Sequence, residues 1–387
     1  MQKQTKEKSK ILFIFHLPPP VYGATIANQY IQESSLINNT FDAHYINLAT
    51  NTKLKEVGKA TLTKPFLFLA MIFKVFRALF THKYDACWIT LTATGPAFYK
   101  DLIIVSILKL FNSRIIYFMH NKGVASASKN PINYQLYKYA FRNVKAILAS
   151  KYLYTDIQDF ISRENVLYCP IGIPETRLST KSEDKSSSSN NCRLLFLGNL
   201  MEEKGVLVLL KACEILKQRN IHFICDFVGG WSDIKPDLFK KQIDQYNLTN
   251  SVFVHGPKYK SEKISFFENA DIFVFPTYYH YETFGMVNLE AMEYRLPIVS
   301  TPEGGIPDLV VDGVNGFLVP QRDTLALADK LEILIKNPSM RLKMGAEGQN
   351  RFKLFYTIET YEKNVTNILK NFTRDKTILS SEKRNEN

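Results

Sequence analysis

Twelve short, nearly continuous apolar runs, in two sets of six, constrain this chain more than any other feature of its sequence. The first set reads KILFIFH, DAHYINL, DACWITL, RIIYFMH, VKAILAS and NVLYCP. The second reads RLLFLG, HFICDFVGG, VFVHG, DIFVFP, PIVST and GFLV. Runs without period-2 alternation suit strands covered on both faces, as in the parallel sheets of α/β proteins. Helical patterns such as EKGVLVLLKACEILKQ and TLALADKLEILIKN fill the gaps. Between the sets lies STKSEDKSSSSNN (179–191), polar, serine-rich and without core formers, as a solvated linker is. The expectation is two doubly wound α/β domains, 1–178 and 192–355, joined by that linker. A helix over 356–372 and a frayed tail over 373–387 follow. Ligands of open α/β sheets bind at the carboxyl ends of the strands, so two such sheets facing each other would frame a central cleft lined by strand-end loops.

Composition narrows the partners. The 387 residues carry 49 basic and 37 acidic side chains, a formal charge of +12. That balance attracts phosphates, whether of nucleic acid, anionic lipid or a diphosphate ligand. No RNP, zinc or helix-turn-helix pattern is present and the basic residues are spread, so nucleic acid is not an expected partner. Five scattered cysteines, several in apolar runs such as DACWITL and HFICDFV, read as small buried hydrophobes of a reducing compartment. The apolar run near the start, ILFIF, is too short for a signal-peptide core, and a mature cytoplasmic start is expected. The segment KPFLFLAMIFKVFRALFTHK (64–83) is apolar but holds Lys74 and Arg77, which argues against a spanning helix. A half-buried helix of the first domain and a basic amphipathic helix on an anionic membrane surface both remain open, and do not exclude each other.

The informative residues should stand just after the strands. After the first run, Gly23 opens a helix whose N–H groups could receive an anion, and His120 ends the fourth. Asp101, in TATGPAFYKD (92–101), reads equally as an acceptor contact or a helix cap. In the second set, Lys204–Gly205 begin a helix after the strand that ends at Gly198, a suitable place for a diphosphate. Gly256–Pro257 would let a flat base approach the backbone. The stretch YYHYETFGMVNLEAMEY (278–294) offers Glu282 on a loop, helix-start N–H groups at Phe284, Gly285 and Met286, and Glu290 more than one turn into the helix. A carboxylate accepting two parallel hydrogen bonds matches the vicinal hydroxyls of a ribose or sugar. The Gly304–Gly305 turn with Pro307 repeats the strand–turn–helix device.

Glu282, FGMVNL, Glu290 and GGIPDLVVDGVNGFLV, together with GNLMEEKG and YFMHN, resemble the Glu-x7-Glu signature of the retaining family 4 glycosyltransferases of the GT-B fold. The likeness covers nearly the whole chain. It implies two Rossmann-like domains, a C-terminal helix crossing back to the first, and a UDP- or GDP-sugar donor with a glycan or lipid-linked acceptor. It implies that Glu290 holds the donor ribose, Glu282 the hydroxyls of the transferred sugar, and Lys204 with the Phe284–Met286 N–H groups the diphosphate. His120 would lie beside the sugar, and Gly23 near phosphate or acceptor. Front-face attack with retention is implied, the departing phosphate oxygen taking the acceptor's proton. Asn199 stands where the family usually has Arg, Ala24 replaces a second glycine, Ile171 a frequent Asn, and Asp308 a frequent Glu. No Asp-x-Asp motif occurs, so neither metal nor cofactor is expected. A nucleotide-sugar epimerase of the same architecture is the alternative.

Overall fold

A computed structural model describes residues 7–49, 63–176, 191–259 and 261–375. The linker segment lies outside the described residues except at Asn191, and the tail lies outside them from 376 onward. The twelve apolar runs form twelve strands. In the first sheet these are β1 (Lys10–Phe15), β2 (Asp42–Asn47), β3 (Ala86–Ile89), β4 (Ile115–Met119), β5 (Lys145–Leu148) and β6 (Val166–Tyr168). In the second they are β7 (Cys192–Leu197), β8 (Phe223–Val228), β9 (Val252–Val254), β10 (Ile272–Phe275), β11 (Ile298–Ser300) and β12 (Gly316–Leu318). The strand orders are β2-β1-β3-β4-β5-β6 and β12-β11-β10-β7-β8-β9, with every paired neighbour parallel. Central strands such as β3, β4 and β10 are buried along their whole length, which is why their sequences run apolar without alternation.

The chain forms two compact units, residues 1–172 with 358 onward, and Ile173–Thr357. Helix Ile358–Arg374 belongs to the first. Its fully buried Tyr361 faces Phe118 of β4, and Arg114 donates to the carbonyls of Phe372, Thr373 and Asp375 at its C-terminal end. That satisfies carbonyls a helix end otherwise leaves orphaned. All five cysteines are free and buried.

Each strand order reverses at one place: between β1 and β3 in the first sheet, and between β7 and β10 in the second. Those reversals are where open α/β sheets hold ligands. On the first unit, helix Thr63–Thr81 buries Met71 and Val75 but exposes Phe66, Leu67, Leu69, Phe73 and Phe80 beside Lys74 and Arg77. Among the described residues no helix is long and apolar enough to cross a membrane.

Candidate active site

At the reversal of the second sheet, the loop after β7 meets the loop after β10. Gly205, at φ +83°, makes the approach possible, because a Cβ there would stand 2.1 Å from the Pro276 carbonyl oxygen. The Tyr278 N–H donates to the Glu203 carbonyl at 2.7 Å, tying the two loops together. The result is an ion pair between Lys204 Nζ and Glu282 Oε2 at 2.5 Å, with both side chains largely buried. The Lys204 ammonium also lies over the Tyr279 ring at 4.5 Å and near the Phe275 ring at 5.5 Å. Aromatic faces attract a cation and keep it dry. Glu282 Oε1 accepts the Gly285 N–H at 3.1 Å. Gly304, at φ +55°, lets the PEGG turn press against the Glu282 carbonyl, 2.3 Å from where a Cβ would stand.

Glu290 falls in the first turn of helix Val287–Glu293, not deeper as the spacing suggested, because the chain turns at Gly285 (φ +66°) and becomes helical only from Val287. The Gly285 N–H expected to meet a diphosphate is taken by Glu282. Glu290 Oε2 receives Lys263 Nζ at 2.7 Å, a partner that no motif announced. Burial pushes the Glu290 carboxyl up and the Lys263 charge pulls it back. Asn199 is exposed just beyond β7. The ends of β7, β8 and β9 are laced together, with Gly198 donating to the Val228 carbonyl at 3.0 Å and Gly229 to the Gly256 carbonyl at 2.9 Å. Gly256 leaves open space beside it, ahead of Pro257. Behind this floor Asp226 accepts from the Arg193 guanidinium at 3.0 Å, and His255 Nε2 lies 2.7 Å from its other oxygen.

The carboxyl edge of the first sheet is built differently. Gly23 opens helix Gly23–Glu33, which carries fully buried Asn28. The Asn28 amide nitrogen donates to the His16 carbonyl at 3.1 Å, and its oxygen lies 3.0 Å from His120 Nε2. A carbonyl only accepts, so the Asn28 nitrogen must face His16 and its oxygen must face His120; His120 therefore carries its proton on Nε2. Burial, and then the neighbouring His16, hold the His120 imidazole down to about 3; burial and Lys100 hold His16 down to about 4. Asp101 is 2% exposed and accepts the Thr92 N–H at 2.9 Å, so it braces the loop after β3 rather than standing open to an acceptor. Its burial raises its carboxyl to about 6. Asn28 gave no signal in the sequence beyond a polar residue on a helix.

The described residues contain no cluster of three or more His, Cys, Asp or Glu able to hold a metal ion. Comparison with known proteins bears directly on the paired acids. A family model described as glycosyl transferases group 1 matches residues 179–351. The capsular polysaccharide biosynthesis glycosyltransferase CapM of Staphylococcus aureus is 31% identical over 163 residues, 42% of each chain. The amylovoran biosynthesis glycosyltransferase AmsK of Erwinia amylovora is 32% identical over 169 residues, 43% of this chain and 40% of that one. The chain thus spans less than half the length of the curated relatives it matches. Among solved structures, Alr3699/HepE of Anabaena in complex with UDP superposes with a TM-score of 0.72 at 18% identity, covering 94% of this chain and 100% of the other. Sucrose-phosphate synthase of Thermosynechococcus elongatus gives 0.72 at 17% identity, over 94% and 99%. At such identities the likeness establishes the GT-B fold alone. Residues 179–351, which carry both acids and both of their lysines, are thus similar to the glycosyl transferases group 1 family.

Proposed function

We propose that the chain is a retaining, metal-independent glycosyltransferase. It moves a sugar from a UDP- or GDP-sugar to a glycan acceptor, in the synthesis of a cell-surface polysaccharide or glycolipid. The observation that carries this reading is the pairing of Glu282 with Lys204 and Glu290 with Lys263 at the reversal of the second sheet. The curated relatives' names refer to capsular polysaccharide and amylovoran synthesis, and one structural neighbour holds UDP-glucose, which supports the donor class.

Glu290 accepts the ribose hydroxyls and Glu282 those of the transferred sugar; each carboxylate has about four lone-pair sites, so one bond to lysine leaves room. The Lys204 ammonium, with three donors, shares itself between Glu282 and the diphosphate. Backbone N–H groups at Phe284 and Met286 and the side chain of Asn199 add neutral donors, and Gly256–Pro257 receives the base. On the first unit, the neutral His120 and the helix start at Gly23 serve the sugar and acceptor. As the bond from the sugar's C1 to the phosphate oxygen breaks, the acceptor oxygen bonds C1 on the same face, and its proton passes to the departing oxygen. Fixed cationic and N–H groups aimed at that leaving oxygen are the main catalytic contribution, each worth about 10²–10³ in rate.

The acceptor is lipid-linked and the enzyme works at the cytoplasmic face of the membrane. The exposed Phe66, Leu69, Phe73 and Phe80 of helix Thr63–Thr81, flanked by Lys74 and Arg77, support this. Two experiments test the reading. A thermal-shift screen against UDP-, GDP- and CMP-sugars should find one donor, and product analysis should show an α-linkage from an α-donor. Conversion of that donor with no acceptor present would instead identify an epimerase. Flotation with vesicles of phosphatidylglycerol should carry the protein, and Lys74→Gln with Arg77→Gln should release it.

A further inference from the structure

We propose that Lys263 is a positioning residue for the ribose-binding carboxylate: it pins one oxygen of Glu290 and keeps that acid ionised in its half-buried seat. This rests on the reading of Glu290 given above, and goes beyond it by assigning a second residue to nucleotide recognition.

The geometry is set by packing, not by chance contact between two mobile side chains. Lys263 and Phe267 stand one turn apart on helix Ser261–Asn269, and Glu290 and Tyr294 stand one turn apart across helix Val287–Glu293 and its cap. Residues four apart on a helix share a face. The Phe267 ring stacks on the Tyr294 ring with centroids 5.3 Å apart and planes at 18°. Phe267 and Tyr294 are both buried. This aromatic pair fixes the register of the two segments, and one turn further along each of them Lys263 Nζ meets Glu290 Oε2 at 2.7 Å. The ion pair is the outer rung of a ladder whose inner rung is apolar.

Besides Lys263, two titratable groups couple to Glu290. From its own helix comes Glu293, which disfavours a second negative charge and whose carboxylate holds the Thr176 hydroxyl and N–H. The Tyr294 phenol also senses the Glu290 charge. Burial and Glu293 therefore push Glu290 toward the protonated form, and Lys263 alone among these groups opposes them. A protonated Glu290 loses part of its capacity to accept the two ribose hydroxyls.

The test measures nucleotide affinity by calorimetry with UDP and with GDP, using the full chain from pH 5.5 to 8.5. The quantity read is the ratio of Kd in Lys263→Met to Kd in the wild type, which cancels the titration of the nucleotide's own phosphate. The expected ratio is about tenfold or more at pH 5.5, shrinking to about threefold or less at pH 8.5, as the carboxyl regains its charge. Lys263→Arg should restore a level ratio near one. In a Glu290→Gln background, adding Lys263→Met should produce no pH-dependent change, since nothing remains there to titrate. A ratio constant across pH, or a pH-dependent ratio that persists in the Glu290→Gln background, overturns the proposal. Failure of the wild type to bind either nucleotide overturns the functional reading itself, and this inference with it.

Discussion

The two carboxyl edges of this molecule share a single reversal of strand order and differ in chemistry. Each sheet reverses its strand order once, and each carries its candidate residues on the loops and helices that follow its strands. In the first unit those residues form a neutral network, in which Asn28 joins the His16 carbonyl to the His120 ring. In the second they form two ion pairs, Lys204–Glu282 and Lys263–Glu290. Buried neutral groups need only mutual hydrogen bonds, whereas buried charges need opposite partners. Two parallel sheets, each with one reversal, thus carry a neutral network at one carboxyl edge and paired charges at the other. The contrast lies in a handful of residues on strand-end loops and the helices that follow them.

Breaking the charged edge should have the largest effect. Lys204→Met removes the cation assigned to the diphosphate, and sugar transfer should fall by about 10²–10³ in kcat while the fold is kept. An unchanged kcat in a folded sample would remove the donor assignment from this edge.

Breaking the neutral edge should act on stability first. Asn28→Leu removes the amide that joins the His16 carbonyl to the His120 ring, at a cost of about 1–3 kcal/mol in all. The midpoint of urea unfolding should drop accordingly. A midpoint equal to that of the wild type would mean that water or another group replaces the amide.

A pH titration sharpens the contrast. His16 and His120 are held near 4 and 3 in the folded chain, below the ordinary 6.5. The unfolded chain binds those protons first as pH falls, so their stability is present above about 6.5 and is lost toward 4. Asp101, raised to about 6, runs the opposite way: the stability its burial removes above 6 returns below it. Two histidines outweigh one aspartate, so the melting temperature should fall from pH 6.5 to 4.5. His16→Gln should flatten that slope. A level melting curve over this window would sink the account of a neutral edge.

The smallest effect concerns an absent charge. Asn199 is exposed beyond β7, at the position where the resemblance leads one to expect an arginine. Asn199→Arg should tighten nucleotide binding by a few-fold, about 1 kcal/mol, measured by calorimetry with UDP or GDP. A looser complex would indicate that the loop after β7 already has its full complement of cation in Lys204.

Much of this was legible along the chain, and the illegible part has a common cause. The apolar runs mark strands because parallel strands are covered on both faces, a property each segment carries on its own. Glu282 and Lys204 stood out because strand-end loops are where such sheets place ligands. Lys263 did not stand out, since its partner lies 27 residues away and only the stacking of Phe267 on Tyr294 brings the two together. The same holds for Asn28, which meets His120 across 92 residues. Asp101 read equally as a cap or a contact until burial decided for the loop of Thr92.

By itself, then, the order of residues determined the strands, the helices that cover them and which loops hold acids and lysines, because these follow from local periodicity and composition. Tertiary structure alone decided which charge meets which, and which histidine nitrogen holds its proton. Those outcomes depend on distances of about 3 Å between groups far apart in the chain, and only packing can set such distances.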